Sequence, residues 1–251
     1  MIDLKDKNAV ITGGNSGIGY STAKLMKERG ANVIIVGRSQ ERVSKAAGEL
    51  GVTGLVADVS KVKEIEHLVE NVKKTTGKID ILFINAGVFF GAPIGQITEE
   101  LFDQLMNINF KGAVFTLEKF LPLLTEGSSV INLSSVNAYL GMSTASIYGA
   151  SKAAMNSFTR TSATELAARK IRVNAVNPGP VSTPIFGKTG MNEDQLQGFA
   201  SAMQNRVPLK RFGNPDEIAK LVTFLASDDA SYITGAEYNI DGGININPGI
   251  I

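Results

Sequence analysis

Asn8-Ala9-Val10-Ile11-Thr12-Gly13-Gly14-Asn15-Ser16-Gly17-Ile18-Gly19 runs from a short β-branched stretch into a glycine-rich turn, and a segment of helical period follows at once. Ile18, Thr22, Leu25 and Met26 stand at i, i+4, i+7 and i+8, which predicts one helix face packed on a sheet. Strand, turn and helix in that order bring unsatisfied backbone N–H groups and the positive end of a helix dipole to the turn. A phosphate binds well there, and glycine lets the backbone come close to it. Gly13, Gly17 and Gly19 supply such a turn, with Asn15, Ser16 and Ile18 among them. The spacing Gly-x3-Gly-x-Gly differs from the G-x-G-x-x-G of the common dinucleotide fingerprint, so a plain βα turn stands as the alternative. The flanking strand and helix favour dinucleotide binding.

Outward from this turn the same alternation continues. Strands are predicted near Asn8–Thr12, Asn32–Val36, Gly54–Ala57, Asp80–Ile84, Ser129–Leu133, Arg172–Val176 and Tyr238–Ile240. Helical period falls between them at Ile18–Arg29, Gln40–Glu49, Val62–Thr76, Glu99–Leu124, Ser146–Ala168, Glu193–Arg206 and Pro215–Leu225. Alternating βα units predict an α/β fold of the Rossmann type, doubly wound, with a seven-stranded parallel sheet and helices on both faces. Polar residues gather at the C-terminal ends of the strands, the edge at which such sheets bind ligands. No linker, repeat or charge run divides the 251 residues, so residues 1–251 are read as one domain.

Composition narrows the chemistry. The absence of cysteine excludes disulfides, thiolate nucleophiles and Cys-ligated metal. The single His67 lies among charges in Glu64-Ile65-Glu66-His67-Leu68-Val69-Glu70 and reads as a solvated helix position, leaving neither an imidazole metal site nor a Ser-His-Asp triad. Twenty-five Lys and Arg against 24 Asp and Glu give a net charge of +1, which draws the chain to neither nucleic acid nor an anionic membrane. Charges in Met1–Lys7 and the lack of any apolar run of about 18 residues predict a cytoplasmic protein. Glu237 and Asp241 read as isolated carboxylates and not as an acid/base pair or metal site.

A NAD-binding protein usually carries an acid at the end of the second strand, for the ribose 2′-OH. Here the strand ends Val36-Gly37-Arg38-Ser39, and the Arg38 guanidinium suits a 2′-phosphate, which predicts NADP over NAD. A solvated Arg is the alternative, and use of NAD is compatible with it. Further on, Tyr148-Gly149-Ala150-Ser151-Lys152 places a phenol and an ammonium one helical turn apart, where the cation favours the phenolate and tunes a proton-transfer group.

Thr12-Gly13-x3-Gly17-x-Gly19, Asp58-Val59, Asn85-Ala86-Gly87, Asn109, Ser135, Tyr148-x3-Lys152 and Pro178-Gly179-Pro180-Val181-x-Thr183 together resemble the short-chain dehydrogenase/reductase family over essentially the whole chain. The resemblance implies an NAD(P)-dependent enzyme that interconverts an alcohol and a carbonyl by hydride transfer. It implies Tyr148 as general acid and base, Ser135 on the substrate oxygen, Lys152 on the nicotinamide ribose, and Asn109 holding a water that links Lys152 to solvent. It also implies contacts from Asp58 and Val59 to adenine, a close backbone path at Asn85, Ala86 and Gly87, and a grip on the nicotinamide carboxamide by Pro178, Gly179, Val181 and Thr183. Ile84, where many members carry Asn, departs from the pattern and is expected to face the sheet core.

The segments expected to shape the substrate pocket, Val136–Met142 and Pro184–Met191, are largely apolar, which predicts an uncharged ketone or secondary alcohol with hydrophobic substituents. The stretch from Pro184 to Phe212 reads as a lid. Two other readings remain: a reductase of 3-oxoacyl chains on a carrier protein, for which Lys210-Arg211 is the only basic pair placed to help, and a non-catalytic NADP sensor. Assembly as a homotetramer is implied by the resemblance, and the apolar tail pair Ile250-Ile251 is consistent with burial against a neighbour.

Overall fold

Seven parallel strands in the order β3-β2-β1-β4-β5-β6-β7 form one twisted sheet: β1 Asn8–Thr12, β2 Asn32–Gly37, β3 Thr53–Val56, β4 Ile79–Ile84, β5 Leu124–Leu133, β6 Arg172–Pro178 and β7 Glu237–Ile240. The computed structural model describes residues 2–183 and 193–247. Strand order reverses between β1 and β4, which opens a crevice at the C-terminal edge of the sheet.

Alternate residues along the strands feed two cores. Val10, Ile34, Val36, Leu82, Ile84 and Val130 meet one layer of helices: α3 Val62–Thr76, α5 Gly112–Phe120 and α6 Ser146–Leu166. Ala9, Ile11, Val33, Ile35, Ile81, Phe83 and Ile131 meet the other: α1 Gly17–Glu28, α2 Gln40–Leu50 and α8 Pro215–Ala226. Each such side chain removed from water contributes about 1.5–3 kcal/mol, which is why these strands read as unbroken apolar runs. Ile84 lies within the first core, as its departure from the pattern predicts.

Local chemistry sets the helix ends. Gly51, left-handed at φ 63°, closes α2 with its N–H on the Ala47 carbonyl. Asn214 and Glu217 form a reciprocal capping box around Pro215 at the start of α8. On α1 the buried face is Gly19, Thr22, Ala23 and Met26, so the stripe is shifted from the predicted one: Ile18 and Leu25 are only half-buried. Small residues face inward because α1 lies close against α8.

The predicted helix Glu99–Leu124 is broken. α4 spans Glu99–Met106, a π-helical turn follows at Asn107–Lys111, α5 resumes at Gly112, and a 3₁₀ turn at Leu121–Leu123 leads directly into β5. Pro122 removes a helical donor at the last break. At the first, a Cβ on Gly112 would lie 2.7 Å from the Val59 carbonyl oxygen, so only glycine allows this approach. Other elements begin or end within a few residues of expectation; the exception is β5, which starts five residues earlier because Leu124 pairs with Ile79 ahead of an irregularity in the ladder. A helix α7 at Glu193–Arg206 lies where the lid was expected, while residues 184–192 and the tail pair fall outside the described residues.

Candidate active site

The crevice at the β1/β4 reversal holds a cavity of about 220 Å³. The ends of β1 to β5 contribute to its lining: Gly13 and Asn15–Ile18 after β1, Arg38 and Arg42 after β2, Asp58 and Val59 after β3, Asn85–Val88 after β4, Leu133 and Ser134 at the end of β5, joined by Tyr148 and Lys152 on α6 and Thr183 beyond β6. Thr12 and Asn85 join the two strands at the reversal. The Thr12 hydroxyl accepts from the backbone N–H groups of Asn85 (3.0 Å) and Ala86 (3.1 Å), and Asn85 Nδ2 donates to the carbonyls of Thr12 (2.8 Å) and Gly13 (3.2 Å).

The glycine turn is built for close approach. Gly13 and Gly17 have φ of 66° and 54°, and Gly19 packs beneath the turn where its Cβ would lie 2.4 Å from the Gly13 carbonyl oxygen. Ser16 precedes α1 without a side-chain capping bond, and no acid stands in the first turn, so the helix start presents its N–H groups and positive dipole to the cavity. An anion fits this cradle. Arg38, in the bend after β2, projects near it, and Arg42, in the first turn of α2, joins it; sequence reading missed Arg42.

At the other end of the cavity stand Tyr148 and Lys152. Lys152 is 3% exposed, its ammonium donates to the Leu133 carbonyl at 2.9 Å, and it lies 5.7 Å from the centre of the Tyr148 ring. Burial pushes its pKa down to about 8. Tyr148 is half-buried, with its open side toward the cavity; burial pushes its phenol above the ordinary value, and a hydrogen bond with Ser135 works the other way. The expectation that Lys152 pulls this phenol down is therefore corrected: burial raises it, and the influence that lowers it is the Ser135 hydrogen bond. Ser135 is 7% exposed, and its Oγ also accepts from the Asn137 N–H at 3.2 Å. The edge of Phe89 meets the Tyr148 ring, centroids 5.0 Å apart at 84°.

Asn109 lies behind this group, 1% exposed, in the π-helical turn. Its side-chain amide clasps the backbone of one residue, accepting from the Val88 N–H at 2.8 Å and donating to the Val88 carbonyl at 2.9 Å, with a longer bond to the Ser151 hydroxyl at 3.4 Å. A Cβ on Gly87 would meet Asn109 Oδ1 at 3.3 Å and Lys152 Nζ at 3.6 Å, so both side chains reach this stretch of backbone. Pro178, Gly179 and Val181 lie outside the cavity wall; Val181 is buried, and Gly179 abuts the Asp241 backbone. Ser134, also missed from the sequence, lines the cavity and fixes α6 through a 2.9 Å bond to the Lys152 carbonyl.

The remaining polar candidates are occupied elsewhere. His67 is exposed on α3. Asp241 caps the N–H groups of Gly243 (2.9 Å) and Asn245 (3.0 Å), and Glu237 pairs with Arg160 and Tyr139. Among the described residues, no group of three or more His, Asp or Glu side chains is placed to hold a metal ion, and no helix is long and apolar enough to cross a membrane.

Comparison with known proteins bears on this arrangement. Residues 13–245 match a family model described as enoyl-(acyl carrier protein) reductase. The chain is 39% identical over 250 residues to the 3-oxoacyl-[acyl-carrier-protein] reductase FabG of Thermotoga maritima, covering 97% of this chain and 99% of that protein. Among solved structures it is similar to levodione reductase, at TM-score 0.92 and 33% identity over 96% of this chain and 98% of that one. A short-chain dehydrogenase/reductase of the glucose/ribitol dehydrogenase type from Brucella melitensis gives TM-score 0.91 and 33% identity over 97% and 98%.

Proposed function

Because the chain belongs to the short-chain dehydrogenase/reductase family and is an NAD(P)-dependent oxidoreductase, we propose that it is an NADP(H)-dependent carbonyl reductase interconverting ketones and secondary alcohols. The observation that carries this reading is that Tyr148 and Lys152 line one end of a cavity whose other end is an anion cradle, with Ser135 hydrogen-bonded to Tyr148 beside them. The nicotinamide cofactor supplies the hydride.

The chain's own groups do the rest. Tyr148 donates its proton to the carbonyl oxygen and takes it back in the reverse direction; a phenol held above its ordinary pKa is fully protonated for reduction at neutral pH. Ser135 donates a second hydrogen bond to that oxygen and stabilises the charge developing there. Lys152 holds the nicotinamide ribose and keeps positive charge beside the phenol. Gly13, Asn15, Ser16, Gly17 and Ile18 carry the pyrophosphate, Asp58 and Val59 flank the adenine, and Thr183, with Pro178, Gly179 and Val181 behind it, fixes the carboxamide. Asn109 holds the Gly87–Val88 backbone in place beside Lys152.

Arg38 and Arg42 support the preference for NADP, since two guanidinium groups at the β2 end suit a 2′-phosphate better than a bare hydroxyl. Apolar groups lie close to Tyr148: Phe89 packs against its ring, and Leu140 packs on the buried cluster of Val136, Val207 and Ile244 that follows Ser135. An uncharged ketone with hydrophobic substituents fits these surfaces. Likeness to a 3-oxoacyl-carrier-protein reductase favours a second reading, in which an acidic carrier docks at Lys210-Arg211. Arg211 is already paired with Glu217 through two bonds of 2.8 and 2.7 Å, which leaves Lys210, bound only to the neutral Asn205 carbonyl, as the one unneutralised charge of the pair. A single domain, cytoplasmic location, homotetrameric assembly and no nucleic-acid or membrane partner complete the proposal.

The test is reduced-nicotinamide absorbance with NADPH and NADH side by side against aryl ketones, keto esters and a 3-oxoacyl thioester. NADPH-preferring turnover of the ketones is expected. Replacing Arg38 and Arg42 by Ser raises KM for NADPH roughly 10–100-fold, as loss of charge-assisted bonds worth about 1.5–3 kcal/mol implies, and leaves NADH unchanged. Turnover confined to the thioester moves the assignment to the carrier reductase.

A further inference from the structure

Beyond the residues that meet cofactor and substrate, a polar cluster ties three parts of the site together at one phenol. Tyr139 lies four residues after Ser135, in a segment whose sequence reads as pocket wall, yet it is not part of the cavity lining. Its hydroxyl donates to the Glu237 carboxylate on β7, accepts from Asn156 Nδ2 on α6 at 2.9 Å and accepts from Asn177 Nδ2 on β6 at 3.3 Å. Arg160 on α6 holds the other oxygen of Glu237.

The parts so joined are the ones that must stay in register. Tyr148, Lys152, Asn156 and Arg160 follow at four-residue intervals down one side of α6, so Asn156 is one turn below Lys152. Asn177 immediately precedes Pro178-Gly179 at the end of β6. Ser135 and Tyr139 bracket a 3₁₀ turn, Val136–Ala138, closed by Ala138 N–H to the Ser135 carbonyl (3.0 Å) and Tyr139 N–H to the Val136 carbonyl (2.9 Å). A turn this short transmits the place of its last residue to its first.

The polarity of the cluster is fixed. A phenol has one proton, and it goes to Glu237; both amides must then present N–H to the same oxygen. They do so although Asn156 is 3% and Asn177 0% exposed and each leaves its own amide oxygen without a partner. Asn156 buries an unpaired oxygen to keep its donor on Tyr139, whereas Asn177 Nδ2 divides its donors between Tyr139 and Asn239 Oδ1 (3.1 Å), so Asn156 and Glu237 are the firmer moorings of a phenol that is itself 48% exposed.

We propose that Tyr139 is a positioning residue: moored by Asn156, Asn177 and Glu237, it holds the Ser135 hydroxyl at the place where the substrate oxygen meets Tyr148. This rests on the carbonyl-reductase reading for its consequence in turnover, but the mooring itself is a property of the fold. Tyr139→Phe removes the hydroxyl and keeps the ring.

Amide hydrogen exchange on the apo chain reads the mooring without any turnover. In Tyr139→Phe, exchange across residues 136–140 accelerates while that of α1 stays unchanged; unaltered exchange at 136–140 overturns the proposal. Kinetics then read the consequence. The substitution lowers kcat about tenfold, with the dissociation constant for NADPH within about twofold of wild type, and in a Ser135→Ala background its cost shrinks below about twofold because the group it positions is gone. An equal loss in both backgrounds overturns the proposal, since a general loosening of the fold does not depend on Ser135. If Tyr139→Phe does not fold, Asn156→Ala removes one donor and gives the same pattern at about threefold amplitude. A wild-type chain that reduces no carbonyl defeats the functional reading, and the exchange result still decides the mooring.

Discussion

Exchanging glycine for alanine at two helical positions tests the packing of the cofactor turn, because the structure assigns the two changes opposite signs. At Gly19 a Cβ would lie 2.4 Å from the Gly13 carbonyl oxygen and 2.6 Å from Asn85 Nδ2, and the first of these is backbone that cannot swing away. Relief requires moving the turn, at the 1–3 kcal/mol typical of overpacking, and disturbs the Asn85 bonds to Thr12 and Gly13, another 1–3 kcal/mol or so for buried groups left unpaired. Alanine's better helix propensity returns about 1 kcal/mol. The net loss is about 3 kcal/mol, and at roughly 2–4 °C per kcal/mol for a chain of this size Tm falls about 6–12 °C. At Gly48, on the exposed side of α2, a Cβ meets nothing within 4 Å, so Gly48→Ala gains about 0.5–1 kcal/mol and Tm rises about 1–4 °C. Thermal unfolding of the apo chain by circular dichroism measures both. A Gly19→Ala protein melting within 2 °C of wild type, or a Gly48→Ala protein melting below it, refutes the reasoning.

Tyr148→Phe removes the proton donor and is expected to cut kcat by about 10²–10⁴-fold while NADPH binding, followed by fluorescence titration, stays within a few-fold of wild type; retained turnover means the acid is elsewhere. Lys152 is held at a pKa of about 8 against an ordinary value of 10.5, so between those pH values the unfolded chain binds more protons than the folded one and stability rises with pH. Below pH 8 the charged, buried ammonium costs up to about 3 kcal/mol. Lys152→Met is therefore expected to raise the urea midpoint at pH 7, with the gain fading toward pH 10.5; a pH-independent difference contradicts it.

Much of this architecture is legible in the sequence because the central parallel strands, buried on both faces, are largely apolar, and nearly every strand is followed by a glycine, asparagine, aspartate or serine that turns the chain. The glycine turn, Arg38 and the Tyr148/Lys152 pair are local patterns and can be seen without a fold. What is not legible depends on contacts across the chain. The division of Glu99–Leu124 depends on Asn109 reaching Val88 and on Gly112 reaching Val59, neither of which leaves a mark in helical period. Arg42 is brought to Arg38 by the bend between β2 and α2, which helical period does not reveal. Tyr139 reads as one more apolar-segment residue until Asn156, Asn177 and Glu237 are brought to it from three other elements. The pKa of Tyr148 shows the same limit, since spacing reveals the neighbouring cation but not the water that burial removes.

The π-helical turn at Asn107–Lys111 can be regarded as an α-helix carrying one surplus residue. Excising a single residue there would allow α4 and α5 to run on as one regular helix, a local gain in hydrogen-bond geometry. Because the wider turn absorbs that surplus residue, the cut would leave α5 in phase, with Leu117 and Phe120 still facing the core. The change would fall on Asn109, which the wider turn brings to the Val88 backbone. Loss of one codon at this helix would thus be felt beside Lys152 and not in the packing.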